Sequence, residues 1–206
     1  MFFKTKVKSK KISDKQQEEF QNILSFAKTI IETSQERNPG KHPIHEVIHI
    51  LGNKIRSDYM VRLLKVKDES DLSSFVPPKM FESNQIFSLE GEKFYDLITK
   101  KKETRYASLN KDTVIPWAWK RERLSNVLLN IGPDRPYGDW KQDKLNHKLQ
   151  LWLPLGLYWV WGGNHSISVG ILQGKGTIST SDIYDISNIY NYVTCDGRHY
   201  IRKFDQ

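Results

Sequence analysis

The sequence predicts an α+β chain, with a mainly helical first half followed by a smaller mixed α/β unit. Three observations predict it. Before about residue 100 the apolar residues recur at helical spacing. After about 110 the texture changes to aromatic and branched runs bounded by Gly and Pro. The length, 206 residues, is enough for one full domain and a smaller attachment. The organisation read from this is a basic arm over 1–15, a mainly helical region over 16–105 and a mixed unit over 106–206.

The elements follow in order. Ser13 and Gln16 have capping-box spacing, and Phe20, Ile23, Leu24, Ala27, Ile30 and Ile31 give one apolar stripe, so a helix is predicted from Ser13 to about Ser34. ERNPGKHP breaks it. Pro43 suits the first turn of a second helix, which runs to about Leu64 with Ile44, Ile48, Leu51, Ile55 and Tyr59 as its buried stripe. Residues 65–85 read as a loop and 90–101 as a third helix. TVIPWAW reads as a strand interrupted by Pro116, and KRERLSNVLLNIG as a helix stopped by Gly132. LQLWLPLGLYWVWGG is a strand, a Pro-Gly turn and a second strand. ISVGILQG is a short helix with a glycine stop, and YVTCDGRHYI a hairpin with Asp196-Gly197 in its turn.

Composition narrows the function classes. The net charge is +8, and six lysines against one aspartate lie in the first fifteen residues. Such an arm suits phosphate backbones or an acidic partner, and equally a solubilising tail. Cys195 is the only cysteine, so no intrachain disulfide forms. MFFKTKVKSKKISDK has no apolar h-region, and no run of about 18 apolar residues occurs. A cytoplasmic protein with no membrane partner is expected.

Two motifs carry chemistry. His45-Glu46-Val47-Ile48-His49 matches H-E-x-x-H, in which two histidines one helical turn apart hold zinc and the glutamate activates water. Gly52 fits the extended form, but Ile55 stands where its third histidine belongs, and Glu69 is the remaining candidate ligand. The competing reading is the polar flank of an amphipathic helix, so no metal residues are assigned.

The second motif is WGGNHSISVGILQGKG, residues 161–176. An apolar strand ends in two glycines, Asn164 stands at a helix N-cap position, and amides near His165 to Ser168 would face outward at the positive helix end. His165 adds a titratable donor and Ser166 a hydroxyl. Gly163 and Ser166 are therefore candidate phosphate-binding residues, and Asn164 and His165 candidate catalytic ones. The alternative is a capped helix whose histidine bonds to nearby backbone. Upstream, Asp143 and His147 stand at i, i+4 and, on a helix, would form a carboxylate–imidazole pair able to converge with His165. The paired Trp positions 117/119 and 159/161 read as core, with Trp161 the one placed to line a pocket.

GGNHSISVGILQGKGTI resembles the core of the ParB/sulfiredoxin-like fold, in which a strand leads through a Gly-x-His-Arg or Gly-Glu-Arg-Arg motif into a helix, a Gly and a second strand. DTVIPWAWKRERLSNVLLNIG is similar to that family's opening segment, so the likeness covers about 112–180. The WGGNHS segment also resembles one in bacterial and prophage-borne proteins. The ParB-like likeness implies a nucleotide- or nucleic-acid-phosphate-handling protein acting by phosphoryl transfer or phosphodiester hydrolysis, with Mg²⁺ accompanying a nucleotide. One departure stands out: Ser166 replaces the family Arg, and Arg121 or Arg123 would have to supply the charge. The alternatives are a non-catalytic DNA- or nucleotide-binding module, using the helical half for a protein partner, and a zinc hydrolase through HEVIH.

Overall fold

The computed structural model describes residues 14–34, 42–72, 85–197 and 199–205. The expected Ser13 cap and most of the basic arm lie outside them. Helix α1, Asp14–Thr33, packs only one side: Gln17, Phe20, Leu24, Ala27 and Ile30 are half-buried at three- and four-residue spacing, whereas Ile23 and Ile31 face solvent. It is tied to the far end of the chain, because Gln17 Nε2 donates to the carbonyl of Asp196 at 2.8 Å.

Helix α2, Ile44–Lys65, is where it was expected, but its buried face is rotated. Val47, Gly52, Tyr59 and Leu63 are buried, while Ile55 is 41% exposed and not a core residue. The cause is Gly52. A Cβ there would lie 2.3 Å from Thr113 Cγ2, so only a glycine lets the helix approach the strand Thr113–Ile115 this closely. Arg56 then donates to the carbonyl of Val114 at 3.2 Å.

The helix expected over 90–101 is a single turn, α3, Phe94–Leu97, followed by strand β1, Thr99–Lys101. Tertiary pairing overrides local preference here, since β1 runs antiparallel to β7, Ile183–Asp185. Strand β2, Arg105–Ser108, precedes β3, Thr113–Ile115, and the Arg-bearing helix α4, Arg121–Asn130. Strands β4, Lys148–Leu153, and β5, Leu157–Gly162, form the expected hairpin. Helix α5, Asn164–Leu172, and strand β6, Thr177–Thr180, follow. Strands β8, Val193–Cys195, and β9, Tyr200–Arg202, close the chain. Their register pairs Cys195 with Tyr200, so the connection spans 196–199 and is not a two-residue Asp-Gly turn.

The main sheet has the order β1-β7-β4-β5-β3, with β3–β5 and β4–β7 parallel and the other pairs antiparallel. Both faces are covered. Leu149, Leu151, Tyr158 and Val160 point into one cluster with Ile167, Ile178 and Trp140. Trp152 and Trp159, one step along each strand, point into the other with Phe87, Phe94 and Ile189. Period-two alternation therefore feeds two cores. Strands β2 and β6 pair separately. Among the described residues no helix is long and apolar enough to cross a membrane.

Candidate site at the N-terminus of helix α5

Strand β5 enters α5 through Gly163, whose φ of +74° is left-handed and favours glycine. A Cβ there would also sit 2.3 Å from His147 Cδ2. The first intrahelical bond runs from the Ile167 amide to the Gly163 carbonyl at 2.9 Å. That leaves the N–H groups of Asn164, His165 and Ser166 without an intrahelical acceptor. They lie one to two residues earlier than the sequence placed them.

Asn164 does not cap the helix. Gly163 occupies the cap position, and Asn164 Oδ1 accepts instead from the Trp117 amide at 2.9 Å, joining α5 to the β3–α4 connection. Its side chain is committed there, 2% exposed, and is a positioning group. His165 is set similarly. The Lys120 amide donates to Nε2 at 3.2 Å, so the neutral ring carries its proton on Nδ1. Trp119 packs edge-on to this ring at 4.7 Å. Burial, then the nearby Arg123 charge, push the imidazole below its ordinary value.

The expected union of His147 with His165 does not form. His147 is the last residue of the loop before β4. Its Nδ1 accepts from the Asp143 amide at 3.0 Å, and its Nε2 bonds Ser166 Oγ, which in turn donates to the Gly163 carbonyl at 3.2 Å. Trp140 stacks on the ring at 5.0 Å. Burial lowers the His147 pKa, with the Asp143 charge opposing. The segment before β4 is a turn, not a helix, so the Asp143 carboxylate accepts from the amides of Leu145 and Asn146 and does not orient the imidazole. Ser166 likewise spends its hydroxyl inside the joint.

The two arginines separate. Arg121 turns away: its guanidinium donates to the Val66 carbonyl at 2.9 Å and its amide to Glu69 Oε1 at 2.8 Å. Arg123 stays, with its guanidinium 5.9 Å from the Trp119 ring centre. Arg123, Trp119, Asn126, Asn146 and residues 163–166 line a cleft of ≈ 290 Å³ between α4 and the start of α5. Sequence reasoning missed Trp119, Asn126 and Asn146 as cleft walls; Asn126, one turn beyond Arg123 on α4, carried the only readable signal. None of the side chains lining this cleft is a carboxylate. The residues therefore offer Mg²⁺ only neutral oxygens and do not fit a resident ion of their own.

The HEVIH residues form a different cleft. His45, Glu46 and His49 line a ≈ 610 Å³ space with Arg105, Lys111, Asp112 and the β4–β5 turn. His49 Nδ1 bonds Thr113 Oγ1 at 3.0 Å. Glu69, beyond the opposite end of the 22-residue α2, caps α4 and cannot join these histidines. Among the described residues no group of three His, Cys, Asp or Glu side chains is placed to hold a metal.

The fold and this joint define an α+β chain in which helix α5 starts at a left-handed glycine with three amides free of intrahelical acceptors. The chain belongs to the family described as a family of unknown function, DUF6710, whose profile matches residues 5–206. No curated protein and no solved structure matches it.

Proposed function

We propose that the chain is a binding module that holds a phosphate group of a nucleotide or nucleic acid at the start of α5. One observation carries this reading: residues 164–166, whose amides have no intrahelical acceptor, line one cleft together with Arg123 and the exposed Trp119. Free amides at the positive end of a helix attract an anion. Arg123 adds a charge-assisted donor, and Trp119 offers a ring face for a base. The ParB/sulfiredoxin-like resemblance over 112–180 supports the same reading, with Arg123 on α4 in place of the Arg missing at position 166. Mg²⁺ would arrive on the ligand's own phosphates. The Asp143 carboxylate is spent on loop amides and the His147 ring on the Asp143 amide and the Ser166 hydroxyl, so neither has a chemical step in this reading. A cytoplasmic location suits this ligand class.

The test is thermal shift of wild type, Arg123→Ala and His165→Ala with nucleoside di- and triphosphates and a short oligonucleotide, with and without Mg²⁺. A ligand at a hundred times its Kd stabilises by about 2.7 kcal/mol. The expected result is a stabilisation in wild type that both variants reduce. No shift with any of these ligands overturns the reading.

A further inference from the structure

The cleft at α5 is not isolated. Its wall, the loop leading into β4, is shared with a second cleft of ≈ 410 Å³ lined by Lys144, His147, Lys148, Trp161, Ser181 and Asp182, among others. Asn146 faces the first cleft and its neighbours face the second. The loop is held tight against the joint, since a Cβ on Gly162 would lie 2.4 Å from the Asn146 carbonyl. Ser181 then belongs also to a third space of ≈ 520 Å³, lined by Lys100, Lys101, Lys102 and Glu103, the last paired with Arg105 at 3.2 Å. The three spaces form a chain across one end of the sheet.

Their chemistry is consistent. Each of the first two clefts has one exposed tryptophan at its edge, Trp119 at 40% and Trp161 at 41%. Asp182 and Asp185 are already neutralised, at 3.0 Å, by Lys100 and Lys101. Among the described residues Arg123, Lys102, Lys144 and Lys148 form no ion pair with a carboxylate, so four cations remain for a ligand. Lys148 Nζ rests on the Lys144 carbonyl, at the loop itself. Cations repeated along a path, with ring faces between them, suit a flexible polyanion whose bases are free to stack. A duplex keeps its bases stacked inside and cannot offer their faces to these rings.

We propose that this path binds single-stranded nucleic acid, one phosphate resting at the start of α5 and the strand continuing past Trp161 toward Lys102. The inference rests on the phosphate-binding reading of α5 and names its ligand class.

The test is fluorescence anisotropy of the full chain with labelled oligothymidylates of four and twelve nucleotides, across a salt series. Four neutralised phosphates predict a log–log salt slope of about −3. The twelve-mer is expected to bind about tenfold or more tightly than the four-mer, and Trp161→Ala to weaken it about fivefold or more. Lys144→Glu/Lys148→Glu, on exposed side chains, is expected to weaken the twelve-mer by a larger factor than the four-mer. Equal affinity of the two lengths overturns the path. So does a twelve-mer indifferent to Trp161→Ala and to the lysine pair, or one outcompeted by a duplex of equal length. If Arg123→Ala still abolishes four-mer binding in that case, the α5 reading stands and only the path falls. If Arg123→Ala changes nothing, the α5 reading falls with it.

Discussion

Removing the Asn164 side chain separates its observed role from the one its position suggests. Asn164 Oδ1 is the acceptor for the Trp117 amide at 2.9 Å, and the residue is 2% exposed. Asn164→Ala leaves that amide without its acceptor in a partly buried place. An unsatisfied donor costs about 1–3 kcal/mol, so a loss of about 2 kcal/mol is expected. For a chain of this length that is a fall in Tm of about 4–8 °C. Asn164→Ser discriminates between the roles. Serine is among the best N-cap residues, but its hydroxyl is too short to reach Trp117. If the side chain capped α5, serine would preserve stability. The geometry predicts instead that serine loses nearly as much as alanine. Urea melts with an unchanged m-value would measure both. Wild-type stability in Asn164→Ser, or a loss under about 0.5 kcal/mol in Asn164→Ala, would refute the reasoning.

Three further outcomes are expected. Gly163→Ala must adopt a left-handed backbone and bring its Cβ to 2.3 Å from His147 Cδ2, so a loss of about 2–4 kcal/mol is predicted, read by the same melts. His147 and His165 are both held below their ordinary values, so the unfolded chain binds more protons than the folded one as pH drops. Their contribution is complete above the unfolded value of about 6.5 and is lost as pH falls through the lower folded values. Stability should therefore decline between about pH 7 and pH 5, and His147→Gln should flatten that slope; an equal slope in the variant would contradict the assignment. The arginines should divide their effects. Arg121→Ala breaks the bond to Val66 and lowers Tm without changing nucleotide affinity, whereas Arg123→Ala weakens affinity about tenfold at nearly constant Tm, both read by calorimetry.

How much of this was legible depends on the range of the causes. Helices α1, α4 and α5 and the β4–β5 hairpin declare themselves because their signals are local: period, glycine stops and a Pro-Gly turn. The buried face of α2 was not legible, because apolar residues lie nearly all round it and the choice is made by Gly52 meeting Thr113, 61 positions away. The three-residue β1 was missed for the same reason, since its partner β7 lies some eighty residues on. At the site, the glycine joint and its free amides could be read from WGGNHS. The partners of its side chains could not. Asn164 is committed to Trp117 and His165 to Lys120, both across the sheet-to-helix connection. Arg121 and Arg123 are equivalent as letters, and only the packing of α4 against the end of α2 sends one to Val66 and leaves the other at the cleft. Asp143 and His147 have the spacing of a catalytic pair, yet a turn replaces the helix that would align them.

The most direct test of phosphate binding at α5 is a ¹H–¹⁵N correlation spectrum of the ¹⁵N-labelled chain, titrated with a nucleoside triphosphate. The account predicts that the amides of Asn164, His165 and Ser166 and the side chain of Arg123 shift together, saturably, while the amides around His45 and His49 stay in place. Shifts confined to the HEVIH cleft, or none at residues 164–166, would contradict it.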